Sequence, residues 1–399
     1  MFDLIFALFL GCLAGIFTGL APGIHTNTIA AILLSYLPYL ITKFSAVSLG
    51  SFLIAMVIMH SFIDFIPSIF LGAPDEGETA LSILPGHKLL LEGKGYEALK
   101  CTIVGGIIST LLSLAILPLF CLAIYFGYEK IKPLIPIIIL FFSSLFILKE
   151  KSGKKKIWAL LIFLFSGLLG ILALNELSVK EPLFPLLTGL FGIPTLILSM
   201  ISTGKIAKQK LTNNITFKHN WLNGVKASCC AAVMSVLPAL GAAQATVLAN
   251  YFSKKASPED FLSIVGGINT ASAYFVLATL WLINRARTGV LAAMSQFIQI
   301  GNREFFLFIL VSLISTALAV IITLQLGKFF SRQVSKIKYR KFSLIVLICL
   351  ALLVFIFSGG LGLLVCLVAT AIGLLAPKAG VKRIHAMGCL AIPVMLYFI

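Results

Sequence analysis

Residues 72–86 read Gly-Ala-Pro-Asp-Glu-Gly-Glu-Thr-Ala-Leu-Ser-Ile-Leu-Pro-Gly, and Asp75, Glu76 and Glu78 put three of the chain's 14 acidic residues within four positions. Apolar runs flank the stretch on both sides, which sets it near a membrane. Pro74, Gly77, Pro85 and Gly86 predict a broken rather than a continuous helix there. Ionisable groups on interrupted backbone at such a depth mark a place reached by water, a cation or a polar ligand. The stretch is therefore read as part of a transport site.

The whole composition agrees with that setting. Of 399 residues, 60% are hydrophobic and only 11% charged, too apolar for a domain with a water-facing surface. Apolar runs long enough for membrane helices recur along the chain without the alternation of a β-barrel, so the expected class is an all-α polytopic protein of the cell membrane. The net charge of +17 lies in short connections between apolar runs, as the positive-inside rule requires, and argues against nucleic acid. Lipid is the expected surroundings, and anionic headgroups suit the basic runs. The eight cysteines fall in or beside apolar runs without metal-ligand spacing, so neither a disulfide framework nor a metal site is expected. Asp3 replaces the basic start of a signal peptide, and the first apolar run leads into a break instead of a cleavage site.

Breaks recur at matched places. Residues 4–20 are apolar, Pro22 and Gly23 interrupt them, and 29–42 resume after the polar His25, Thr26, Asn27 and Thr28. Further runs are expected at 44–71, 101–126, 133–148, 157–174 and 182–201, with 87–100 as a polar connection. The second half repeats the order: 222–236 and 240–252 around Pro238 and Gly241, 259–283, an interruption at 284–288, then 289–301, 304–327, 342–357, 361–376 and 384–399. Pro22 pairs with Pro238, His60 with Asn269, Asp75 with Asn284 and Thr79 with Thr288. This predicts a first repeat over 1–202, a cytoplasmic linker over 203–220 and a second repeat over 221–399. Setting the basic connections 149–156, 203–220, 328–341 and 378–383 on the cytoplasmic side gives the repeats opposite topology. Inverted repeats with discontinuous helices are the sequence mark of a secondary transporter with a midplane site.

One interruption is acidic and its mate basic. Arg285 and Arg287, with Asn284, Thr288, Thr79, Asn27 and Thr28, are the expected substrate-binding groups, since guanidinium forks suit carboxylates. Asp75, Glu76 and Glu78 are the expected groups for a coupling cation or proton. His60 and Asp64, four residues apart, share a helix face and serve either that coupling or helix packing. Both charged stretches can also be loop tips with solvated charges. Asn269, Thr270 and Ser272 beside Gly266-Gly267 fit close packing best, and Gly359-Gly360 with Gly362 fits a tight turn.

Gly19-Leu20-Ala21-Pro22-Gly23, Gly72-Ala73-Pro74 through Leu84-Pro85-Gly86, Glu92-Gly93-Lys94-Gly95-Tyr96-Glu97-Ala98-Leu99 and the run from Pro185 to Pro194 together resemble the large membrane permease of the tripartite tricarboxylate transporter family, in its divergent archaeal type. The resemblance implies uptake of an organic anion such as a di- or tricarboxylate, driven by Na⁺ or H⁺, without another cofactor. It also implies a small membrane subunit and an extracytoplasmic binding protein as partners; a homo-oligomer is the other option. Here Pro238-Ala239-Leu240-Gly241 and Asn284 to Gly289 stand where the family's second-half Pro-Gly motif is expected. The expected function is secondary active transport of a small anionic solute, with no enzymatic activity. The rival from another class is an intramembrane enzyme acting on a lipid or isoprenoid.

Overall fold

The structure is a computed structural model that describes residues 2–21, 25–71, 77–180, 182–201, 207–211, 220–237, 245–246, 249, 257–334 and 339–398. Regular structure among them is helical throughout. Seven helices are long and apolar enough to cross a bilayer: Phe2–Leu20, Ala46–Phe70, Gly95–Leu148, Gly153–Glu176, Pro258–Ile283, Asn302–Gln333 and Ser343–Ala379. Leu119, Ile137, Ile356 and Leu367 are more than 60% exposed, which suits a surface facing lipid rather than water. The protein is multi-pass and α-helical.

The helices divide into two bodies, each drawn from both halves of the chain. The first contains α1 (Phe2–Leu20), α2 (Thr26–Ser35), α3 (Ala46–Ile63), α4 (Gly77–Leu91) and α5 (Gly95–Ile131). From the second half it takes α10 (Asn220–Val236), α11 (Pro258–Ile283), α12 (Gly289–Met294) and α13 (Asn302–Gln333). The second body contains α6 (Ile135–Leu148), α7 (Gly153–Ile171), α8 (Leu183–Leu187), α9 (Ile193–Ile201), α14 (Tyr339–Ala379) and α15 (Gly388–Phe398). Most backbone-close helix packing lies within each body; between them α4 touches the π-helical turn Thr188–Gly192, the 3₁₀ turn Lys132–Leu134 joins α5 to α6, and buried residues of the second body, among them Ile139, Leu196 and Leu350, continue the apolar core of the first.

Glycine sets how closely the first body packs. A Cβ on Gly105 would lie 1.9 Å from Ser263 O, and one on Gly266 would lie 2.2 Å from Thr102 O, so α5 and α11 cross at backbone contact. Gly11 and Gly15 bring α1 nearly as close to the backbone of α3, and Gly19 makes room for the Ile63 side chain. Between lipid-solvated helices no hydrophobic effect drives association, and such close van der Waals contact supplies the attraction. Thr270 and Ser272 donate back to Gly266 O and Ile268 O on their own helix, in keeping with a packing role.

Several boundaries differ from the sequence pattern. α4 runs through Pro85 and Gly86, so these are not breaks. Pro85 costs one helical hydrogen bond, but Gly86 lets Ile69 approach to 3.0 Å from where a Cβ would stand, and tertiary packing holds the helix. Gly77 starts α4. The connection expected over 87–100 shrinks to Glu92–Lys94, turned by Gly93 at φ +79°. The run expected over 289–301 is helical only to Met294, where the Ser295 hydroxyl bonds back to Ala292 O. Gly359, at φ 70° and ψ −169°, divides α14 into two helical stretches, as the glycine cluster predicts. Unbroken, α14 would run about 60 Å, twice the hydrocarbon thickness.

Gln209 and Lys210 are fastened to the first body. Gln209 accepts from Gly95 N at 2.7 Å and donates to Leu90 O at 2.9 Å, while Lys210 N reaches Gly93 O. One side chain thus closes the turn between α4 and α5.

Candidate functional site

The chain break after α1 and the interruption before α12 come together. His25 is the N-cap of α2: its extended backbone turns the chain into the helix and its Nδ1 accepts from Asn27 N at 3.0 Å. Thr288 caps α12 in the same way, accepting from Leu291 N. Asn27 lies against Gly289, where a Cβ would stand 2.7 Å from its Oδ1. That Oδ1 is buried and lacks a hydrogen-bond partner among the described residues. Asn27 and Thr288, both expected in binding, therefore lie together, with Thr28 next to Asn27 in α2.

His60 and Asp64 face the same region from the end of α3, at 3% and 1% exposure. His60 Nδ1 lies 3.0 Å from Thr18 Oγ1 on α1, and its Nε2 lies 4.0 Å from Asp64 Oδ2. The His25 and His60 rings are 5.7 Å apart between centroids, tilted by 55°. One residue further, Asn269 of α11 donates to Ser61 O at 3.1 Å. His60 and Asn269, paired by the duplicated spacing, thus lie at the crossing of α3 and α11.

The basic interruption is non-helical, as expected. Asn284 closes α11 in the left-handed conformation, φ 51°, and its N–H reaches back to Leu280 O and Thr279 O. Arg285 is exposed, while Arg287 is half-buried beside Tyr128 and donates to Val236 O at the end of α10. A guanidinium at the last carbonyls of a helix satisfies an orphan acceptor and complements the helix dipole. Pro22, Gly23, Pro74, Asp75, Glu76, Pro238 and Gly241 lie outside the described residues, as do the side chains of Glu78 and Thr79.

Two features escaped sequence reasoning. Thr18 carries no spacing signal toward His60. In the second body, Glu150 Oε1 accepts from Lys382 N at 3.1 Å and lies 3.0 Å from His385 Nε2, both side chains nearly fully buried. Burial alone would raise the Glu150 carboxyl's pKa, but the bonds from His385 and Lys382 outweigh it and hold the pKa below its ordinary value. The pair also brings the basic connections 149–156 and 378–383 to one face. Among the described residues, no three His, Cys, Asp or Glu side chains converge to hold a metal ion.

A family model described as the tripartite tricarboxylate transporter TctA family matches residues 5–388. An uncharacterized protein of Methanocaldococcus jannaschii is 35% identical over 405 residues, covering 98% of each chain. No solved structure matches significantly.

Proposed function

Because the chain belongs to the tripartite tricarboxylate transporter TctA family, we propose that it is a secondary active transporter carrying a small organic anion, a di- or tricarboxylate, across the cytoplasmic membrane, coupled to Na⁺ or H⁺. The observation that carries this reading is the meeting of two chain interruptions amid membrane-spanning helices, Asn27 against Gly289. The α2 N-terminus offers backbone amides and the positive end of a helix dipole to a carboxylate. Asn27, Thr28, Asn284, Thr288 and Thr79 supply polar contacts in this reading, Arg285 and Arg287 the opposing charge. His60 and Asp64, with Asp75, Glu76 and Glu78, serve the coupling ion.

Alternating access suits helices grouped into two bodies, each packed most closely within itself. Pairwise packing supports the inverted-repeat reading: α1 pairs with α3 as α10 does with α11, and α3 packs on α13 as α11 does on α5. A small membrane subunit and an extracytoplasmic binding protein complete the system, the latter delivering solute.

Uptake of labelled citrate and succinate into proteoliposomes tests the reading. Accumulation under an imposed Na⁺ or H⁺ gradient is expected; none under either, with folded and inserted protein, defeats it. Arg285→Gln is the cleaner arginine variant, since Arg287 also holds Val236 O. Losing one charge-assisted contact should weaken solute binding about 10-fold or more. Unchanged affinity removes Arg285 from the site.

A further inference from the structure

We propose that the connections 149–156 and 378–383, more than two hundred residues apart in sequence, form one docking site for an anionic phospholipid headgroup at the membrane surface. Glu150 assembles the site. Its Oε1 accepts from Lys382 N at 3.1 Å and lies 3.0 Å from His385 Nε2, which holds the turn after α14 against the turn before α7. A second contact lies beside the first. Lys155 Nζ stands 3.4 Å from where a Cβ on Gly380 would be, and Gly380 turns the chain at φ +66°.

The assembled face carries charge of one sign. Lys151, Lys154, Lys378 and Lys382 are exposed, and Lys155 is half-buried against the Gly380 turn. Glu150 is the only acidic residue in either connection, and its buried carboxylate is committed to Lys382 N and His385. Among the described residues, none of these five lysines forms a salt bridge. The start of α7 adds to the imbalance. Ser152 caps it and Lys154, Lys155 and Lys156 fill its first turn, where the helix dipole favours anions over cations. Holding like charges together there costs free energy that a bound anion offsets.

Depth identifies the source of the anion as lipid. Leu148, three residues before Lys151, is 63% exposed, and Ile157, three residues after Lys154, is 61% exposed. Lys154 and Ile157 share a face of α7, so side chains suited to acyl chains give way to lysine within one helical turn. That boundary is the level of phosphate headgroups. Half-buried Trp158, packed on the core of the second body, fits the aromatic belt of the same interface. A soluble polyanion would approach the lysines from the water alone and leave this apolar margin unused.

The test uses the full chain carrying W221F and W281F, which leaves Trp158 as reporter beside the site. It is reconstituted in phosphatidylcholine vesicles that contain brominated phosphatidylglycerol or brominated phosphatidylcholine, and quenching of Trp158 reports which lipid occupies the site. Phosphatidylglycerol should be preferred by about tenfold or more, and the preference should fade in ~1 M salt. K151Q/K154Q and K378Q/K382Q should each remove most of it, because one headgroup is held from both connections. K180Q, beyond the far end of α7, should leave it unchanged. Equal quenching by the two lipids overturns the proposal, as does a preference that survives replacement of both lysine pairs. Pair losses that merely add would show two separate basic runs and overturn the single site. A Trp158 response to soluble RNA or polyphosphate but not to phosphatidylglycerol would overturn the lipid assignment. Where a paired variant fails to fold, the comparison of the two lipids at low and high salt decides.

Discussion

Adding a single methyl group at the α5–α11 crossing should cost more than adding one at an open glycine. At Gly105 the new Cβ falls 1.9 Å from Ser263 O, about 1.5 Å short of ordinary contact; at Gly266 it falls 2.2 Å from Thr102 O. Both obstacles are backbone, so no side chain can turn aside, and the helices must part. A gap of about 0.5–1 Å already forfeits a quarter to a half of each dispersion contact along the crossing. G105A and G266A should each destabilise by about 3 kcal/mol, the upper end of the usual overpacking range. Because the first substitution opens the room that the second needs, the double variant should cost less than the two together. G360A is the control: a Cβ there meets nothing within 4 Å, and a change within about 0.5 kcal/mol is expected. The assay is SDS-titrated unfolding followed by tryptophan fluorescence, with Trp221 and Trp281 as reporters in the first body. A G105A protein as stable as wild type, or a G360A protein equally damaged, would refute the close-packing account.

E150A removes the acceptor for Lys382 N and His385 and should destabilise the second body by about 1.5–3 kcal/mol, measured by thermal unfolding in detergent. The pH dependence follows from the lowered Glu150 pKa. The carboxylate's contribution is complete above the ordinary glutamate value of about 4.3 and is lost as pH falls through the lower folded value. The advantage of wild type over E150Q should therefore shrink below about pH 4, and a gap unchanged at about pH 3 would show that the carboxylate charge plays no part. Q209A should free the linker from the α4–α5 turn and speed proteolysis within 203–220 of inside-out vesicles. Equal cleavage rates would mean that the linker is held by other contacts.

Much of the architecture is legible in the sequence because lipid imposes simple rules. A helix must be long and apolar, and irregular backbone survives only where protein or a polar cavity receives it. These rules locate the main spans, the interruption at Asn284 to Thr288 and the break at Gly359. They fail at Pro85, where tertiary packing overrides a local helix penalty, and after Met294, where a serine hydroxyl ends an apolar run. The His60–Asp64 pair was visible through its four-residue spacing. Its neighbour Thr18 was not, because nothing periodic relates a residue on α1 to one on α3. For the same reason Glu150 and His385, more than two hundred residues apart, gave no signal. The division into two bodies escapes a linear reading altogether, since each body takes helices from both halves.

That division also sets an order of birth. When the ribosome has delivered the first half, the glycine face of α5 around Gly105 has no counterpart, because α11 is made long afterwards. Until α11 leaves the translocon, lipid or another helix must cover a surface shaped for backbone contact. The second body waits still longer, its α6 to α9 lacking α14 and α15 until those helices are made. Neither body can therefore close until helices of the second half have emerged, and the first is complete before the second. Assembly is staggered, and the segment that holds Lys382 and His385 supplies the partners that Glu150 has awaited for more than two hundred residues of synthesis.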